Sequence, residues 1–166
     1  MGTVTLGLVL VLLLLCLTWP ASVSSLPMSL RRQASILVSL KQDFEANTDS
    51  LRSWNMSNYM SLCSTWEGIQ CDQKNRSVVS LDISNFNISG TLSPSITGLR
   101  SLVSVSLAGN GFSGGFPSEI HKLELLRFLN ISGNTFSGDM RWKFSQLREL
   151  EVLDAYDNEF NCSLPL

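Results

Sequence analysis

From Val78 onward, apolar residues return at a fixed interval of 24 positions. Val78, Leu102, Leu126 and Leu150 share one register position, Leu81, Val105, Leu129 and Leu153 a second, and Ile83, Leu107, Ile131 and Ala155 a third. Later in each unit Ile88, Phe112, Phe136 and Phe160 coincide, as do Leu92, Phe116, Met140 and Leu164. Ile96, Ile120 and Phe144 follow, then Leu99, Leu123 and Leu147. A self-similar period of this length marks a solenoid, whose units bury their apolar faces only by stacking on one another. Each unit opens with the alternation of a strand, which predicts Val105 and Leu107 facing inward and Ser104, Ser106 and Ala108 outward. Asn110-Gly111 is turn chemistry, and the Asn recurs at Asn134 and Asn158. An amide with two donors and an acceptor suits the backbone groups that a turn inside a coil would orphan. Gly90, Gly114 and Gly138 are expected where the chain needs positive φ or close backbone approach. The remainder, FPSEIHKL in the second unit, predicts a short, partly helical return on the far side of the coil.

The pattern before Val78 is different. Leu30, Ala34, Leu37, Val38, Leu40 and Phe44 fall near a 3.6 period. They predict an amphipathic helix from about Ser29 to Glu45, with Arg31, Arg32, Lys41 and Gln42 on its wet face. Asn47-Thr48-Asp49 is expected to end it. Leu51, Trp54, Trp66 and Ile69 are too apolar for a loop and are expected to seal the open edge of the first repeat, since a solenoid exposes its core at both ends. At the N-terminus, the apolar run Leu6 to Leu17 is followed by small residues from Ala21 to Ser25. This reads as a secretory signal over residues 1–25, cleaved after Ser25. The absence of Lys or Arg ahead of the run leaves an uncleaved anchor as the alternative, but the run is shorter than the ~20 residues a span requires.

Charge changes the picture only by exclusion. With 12 basic and 14 acidic residues and no basic stripe, the chain does not read as a nucleic-acid binder. Signal cleavage leaves Cys63, Cys71 and Cys162. In a secreted chain the close pair Cys63 and Cys71 reads as a disulfide; a metal pair or two free thiols is the alternative, and no further Cys or His lies nearby to support a metal. Cys162 replaces a repeat glycine, and a small buried residue is preferred there to an intermolecular bridge. Five N-x-S sequons, at Asn55, Asn75, Asn87, Asn130 and Asn161, are candidate glycan sites. Asn130 falls on the outward strand face in line with Asp82, Ser106 and Asp154, so a glycan there would cover the surface a ligand would use. This N-terminal region is therefore not expected to be the main ligand contact. The concave-face candidates are Asp82, Ser84, Ser104, Ser106, Phe128, Asn130, Asp154 and Tyr156.

Catalytic chemistry is not in evidence. Gly109 to Gly114 fits GxGxxG, yet the repeat already accounts for Asn110 and Gly114, and no long helix follows as a dinucleotide site demands. The single His, His121, sits at a variable repeat position, and Glu149 and Glu151 read as solvated. No catalytic triad, metal cluster or kinase signature can be assembled, so no cofactor, nucleotide or enzymatic activity is expected.

The unit LxxLxLxxNxFxGxFPxxIxxLxx resembles the plant-specific leucine-rich repeat over residues 78–166. It departs at Phe86, where Asn is expected, at Ser93 and Arg141, where Pro is expected, and at Cys162. The helix, Ser53-Trp54-Asn55 and the string CSTWEGIQC (Cys63 to Cys71) together resemble the N-terminal cap of plant leucine-rich-repeat receptors. With QASILVSLKQDF and SLDISNFNISGTLSPSITGLRSL, the chain most closely resembles the CLAVATA and BARELY ANY MERISTEM class of receptor-like kinases over about residues 30–166.

That resemblance implies an α/β solenoid. Parallel strands line its concave side, the return segments are short helical or irregular pieces, and a helical, disulfide-stapled cap spans 26–77. Three complete repeats and a truncated fourth would occupy 78–166. It also implies the N-terminal part of a cell-surface ectodomain. The parent would perceive a small secreted CLE-type peptide along its inner face, with a co-receptor, and signal through a kinase not found here. Because the fourth repeat breaks off, leaving Leu153, Phe160 and Leu164 to face water, a fragment or truncated product is expected. A short secreted leucine-rich-repeat protein that binds another receptor or inhibits a cell-wall enzyme is the alternative.

Overall fold

The computed structural model describes residues 28–139 and 146–161; the expected signal segment, Met140, Arg141, Phe144, Cys162 and Leu164 lie outside them. The first helix, α1 (Leu30–Gln42), starts where the pattern places it. Ser29 caps it, its side chain accepting from the Arg32 N–H. Ala34, Leu37 and Leu40 are buried beneath it, and so is Gln33. Gln33 is satisfied on all sides: its Nε2 donates to the carbonyls of Met28 and Arg76, and its Oε1 accepts from the Val78 N–H at 2.7 Å. One amide thus pins the start of α1 to the start of the first repeat.

The helix ends at Asp43, short of Glu45. Phe44, which fits the helical period, instead opens β1 (Phe44–Ala46). The period misleads here because Phe44 is buried by another route: its ring meets Phe112 edge-on at 5.2 Å. Two 3₁₀ turns (Thr48–Leu51 and Met56–Ser61) and the short α2 (Leu62–Thr65) then lead into β2 (Ile69–Cys71). Trp54 and Trp66 stack at 6.1 Å with both indole N–H groups engaged, one on the Glu67 carbonyl and the other on Asn58 Oδ1.

Cys63 and Cys71 are joined in a disulfide, with Cα atoms 5.4 Å apart. The bond ties α2 to β2. Replacing both cysteines by serine is expected to lower stability by about 2–3 kcal/mol, through the loop entropy released in the unfolded chain. Urea unfolding of the double variant checks this, and an unchanged midpoint would contradict it.

From Val78 the chain winds in rungs, and each rung contributes to two sheets. β3 (Val78–Asp82), β5 (Ser104–Ser106), β7 (Phe128–Asn130) and β9 (Val152–Asp154) pair in parallel, with Leu81, Val105, Leu129 and Leu153 in register. β2 completes this sheet by pairing antiparallel with β3. A second sheet joins β4 (Ser89–Thr91), β6 (Gly111–Gly115), β8 (Thr135–Gly138) and β10 (Glu159–Phe160), again in parallel. It is completed by β1, antiparallel to β4. The cap therefore supplies the first strand of both sheets. The close approach of β1 explains Gly90: at φ 113°, a Cβ there would stand 2.5 Å from the Asp43 carbonyl oxygen.

The second sheet is absent from the pattern reading, which assigns those positions to turns and to helical or irregular return. Among the described residues the 3₁₀ turns Pro94–Gly98 and Ser118–Lys122 and the irregular stretches beside them match the expected return segments. The strands of the second sheet are short and rich in Gly and Ser. Their order comes from hydrogen bonds between rungs, which leave no alternation along the chain.

Between the sheets Leu81, Val105 and Leu129 are at most 1% exposed, while Leu153 on the last described rung is 37% exposed. Phe112, Phe136 and Phe160 stack face to face at 6.0 and 6.3 Å along the solenoid axis. The turn asparagines form a matching ladder. Asn110 donates to the carbonyls of Ile83, Leu107 and Ala108, and Asn134 to those of Leu107, Ile131 and Ser132. Asn158 repeats the arrangement on Ile131, Ala155 and Tyr156. Their Oδ1 atoms accept from the N–H groups of Ile88, Phe112 and Phe136 respectively. Each asparagine thus clamps its own coil to the one before.

Candidate ligand-binding face

The outer surface of the first sheet is the face the repeats build jointly. Its middle column runs Asp82, Ser106, Asn130, Asp154 in strict register. In three of these rungs the side chain folds back on its own strand end. Asp82 Oδ1 accepts from the Ser84 N–H and hydroxyl, Asn130 Oδ1 from those of Ser132, and Asp154 Oδ1 from the Tyr156 N–H. This local bonding holds each polar group at the strand exit.

Ser106 departs from the expected outward exposure. It is only 8% exposed, and its hydroxyl lies 2.6 Å from that of Ser84 on the neighbouring rung. A small side chain between larger polar neighbours is closed over by them. The flanking column holds Ser80, Ser104, Phe128 and Val152. Ser84, Ser104, Phe128, Asn130 and Asp154 are half-buried, Asp82 is exposed, and Tyr156 stands out at 82% exposed. The first two rungs thus present serine and aspartate, while the last two add the aromatic rings of Phe128 and Tyr156 and the exposed Val152.

Arg127 is a feature the sequence reading missed. Its Nε lies 3.5 Å from Glu151 and its Nη2 3.8 Å from Glu149, so these carboxylates are bridged to the preceding rung instead of standing alone. All three side chains remain more than half exposed, and such pairs contribute little to stability. The signal was present: Arg127 and Glu151 are 24 residues apart and share one register position. Phe86, the residue in place of the first turn asparagine, helps line a shallow hollow of ≈ 480 Å³ at the cap end of the face, beside Asp82, Ser84 and Asn85.

Asn55, Asn75, Asn87 and Asn161 are exposed, and Asn130 is half-buried. His121 lies away from this face, its Nδ1 2.8 Å from the Ser118 carbonyl. Among the described residues no cluster of three His, Cys, Asp or Glu could hold a metal, and no helix is long and apolar enough to cross a membrane.

The turn between β2 and β3 holds a carboxylate fixed by backbone hydrogen bonds. Asp72 Oδ1 accepts from the backbone N–H groups of Arg76 and Ser77. The Arg76 bond holds its carboxyl below the ordinary value of 3.8. A lowered folded pKa means the bond stabilises the turn above about pH 4 and is lost as the pH falls through the folded value. An NMR titration is expected to place the Asp72 midpoint below 3.8 and to show the Arg76 amide moving with it; a midpoint at or above the ordinary value would contradict the bond.

Two antiparallel cap strands, parallel rungs of 24 residues and an asparagine ladder define a capped leucine-rich-repeat solenoid. Residues 30–72 match the leucine rich repeat N-terminal domain and residues 101–123 the leucine rich repeat. The chain is similar to the receptor-like serine/threonine-protein kinases ERL1 and ERECTA of Arabidopsis thaliana. It is 35% identical to ERL1 over 72 residues, 43% of this chain and 7% of ERL1. Identity to ERECTA is 34% over 93 residues, 56% of this chain and 9% of ERECTA.

Among solved structures, it superposes on PEPR1 from the PEPR1–AtPEP1 crystal structure with a TM-score of 0.74 and 33% identity, covering 81% of this chain and 19% of that one. It also matches a chain of the Arabidopsis HAESA complex with the peptide hormone IDA and the co-receptor SERK1, with a TM-score of 0.70 and 29% identity over 78% of this chain and 22% of that one. The architecture is that of plant receptor-kinase ectodomains. The chain spans less than a tenth of the length of these two curated relatives.

Proposed function

We propose that this chain is the N-terminal part of a cell-surface leucine-rich-repeat receptor ectodomain, whose parent perceives a small secreted peptide of the CLE type and signals through a cytoplasmic kinase with a co-receptor. The observation that carries the reading is the continuous five-stranded face, founded on the disulfide-tied cap and graded from polar rungs to the Phe128–Tyr156 end. Residues 1–25 act as the signal peptide, 26–77 as the cap and 78–166 as the first repeats. The likeness to PEPR1 and HAESA, solved with peptides, supports a peptide ligand in general. The CLE specificity rests on the wording of the cap and first repeat.

The polar face of the first rungs, with a glycan expected at Asn130, acts as the foundation of the receptor, and the main peptide contacts lie on later repeats. The test is calorimetric titration of synthetic CLE peptides into this chain and into the complete ectodomain of its parent. Tight binding by the complete ectodomain, little by this chain, and weaker binding of IDA or AtPEP1 are expected. A parent ectodomain that ignores every CLE peptide would sink the specificity.

A second reading draws on one observation. The chain covers 68% of a chain in the BIR3–SERK2 complex of Arabidopsis thaliana, with 28% identity and a TM-score of 0.67. A solenoid of that size, bound laterally to a larger receptor, fits the same fold, and co-purification with a full-length receptor in the absence of peptide would favour it.

A further inference from the structure

On the side opposite the ligand face, the N-terminal turn of α1 crosses the 3₁₀ return segments of the repeats and leaves an open cleft of ≈ 890 Å³ between them. Arg32 comes to it from the helix, Arg100 from the exit of the first return segment and Lys122 from the second. All three cations are exposed, and no acidic side chain lines the cleft. Among the described residues none of the three is ion-paired: the pairs present join Arg52 to Asp49 and Arg127 to Glu149 and Glu151. The positive end of the α1 dipole opens on the same space through Ser29, and no acidic residue in the first turn offsets it. A chain with an excess of two acidic residues has gathered a local positive field here.

The rest of the lining narrows the chemistry. Ser29, Thr97 and Ser101 supply hydroxyls between the cations, and Met28 and Ile36 supply small apolar surfaces. Gly98 admits Ile36 at close range: a Cβ there would stand 2.7 Å from Ile36 Cδ1. Spaced guanidinium groups match carboxylates in bidentate geometry. Hydroxyls between them match neutral hydroxyl groups, and cations drawn from the helix and two return segments suit a ligand with several acidic groups better than a compact ion.

We propose that this cleft is a second binding site, for an acidic oligosaccharide of the polyuronate type: Arg32, Arg100 and Lys122 hold carboxylates of successive sugars while Ser29, Thr97 and Ser101 bond the intervening hydroxyls. The site faces away from the concave sheet, so it anchors the solenoid to an extracellular polysaccharide without covering the ligand face. An adjoining hollow of ≈ 290 Å³, sharing Met28 and Ser29 and bordered by Arg76, extends the cleft for a longer chain.

The test is interferometry with the secreted full chain over immobilised oligogalacturonate. Binding is expected to weaken with added salt and to be absent for the methyl-esterified oligomer, which keeps every hydroxyl and loses the charge. The triple variant Arg32→Gln, Arg100→Gln, Lys122→Gln is expected to lose about tenfold or more in affinity, as three exposed charge contacts are removed together. The control Arg52→Gln, Arg127→Gln, Arg148→Gln has the same net charge and is expected to bind as the parent chain does. Thermal melting establishes that both variants fold, and the single exposed change Lys122→Glu, expected to weaken binding as well, serves if the triple variant does not. Equal losses in both triple variants, undiminished binding of the esterified oligomer, or equal affinity for heparin or for phosphatidylserine vesicles would overturn the assignment.

Discussion

Phe136→Ala is expected to lower stability by about 3–5 kcal/mol, the range for emptying a closed aromatic site in a packed interior. Phe136 has no exposed surface. Its ring stacks on Phe112 at 6.0 Å and Phe160 at 6.3 Å and receives Phe116 edge-on at 5.3 Å. Three coils therefore share one side chain, and none can close the void alone without breaking register with its neighbours. Urea unfolding followed by far-UV circular dichroism gives the measurement. A loss under about 1 kcal/mol would mean the stacked rings are interchangeable filler and that the rungs relax freely, contrary to interior packing as tight as a crystal's.

The second large effect concerns a polar residue. Asn134→Leu keeps the branched shape and adds apolar bulk, yet it is expected to cost about 2–4 kcal/mol. Asn134 is 7% exposed and accepts from the Phe112 N–H while donating to three carbonyls on two coils. Leucine leaves that N–H without its acceptor in the interior and takes one donor from each carbonyl. Hydrogen exchange adds a local check: the Phe112 amide is expected to lose protection in the variant. The same change at Asn158, which is half-buried at the last described rung, is expected to cost less. A neutral or stabilising Asn134→Leu would show that the ladder is incidental to the turn.

The contrast between these residues and the second sheet shows what the sequence makes legible. Leu102, Leu107 and Asn110 return in kind from coil to coil, with Phe86 the exception in the first, so the 24-residue period places them. Their roles follow from chemistry: an apolar column needs burial, and an amide needs partners. Gly111, Ser113 and Gly115 lack such a signature. They are strand because a neighbouring rung lies beside them, a fact of stacking that leaves no alternation behind. Phe44 shows the converse, matching a helical period by coincidence while a different neighbour buries it.

On the outer face of the first sheet, the 24-residue register alone puts Asp82, Asn130 and Asp154 in one column. The closing of Ser106 by Ser84 depends on side chains from two rungs meeting at 2.6 Å, which no single repeat encodes. The cations of the cleft are scattered across Arg32, Arg100 and Lys122, and only the crossing of α1 over the return segments unites them.

Both sheets begin on a strand that runs against the grain of the others, and both of those strands come from the cap. The cap thus closes one margin of each sheet with a strand of opposite sense, braced by stacked tryptophans and a disulfide. Every rung after it meets only its like, so the footing is built once and the same joint is reused from coil to coil.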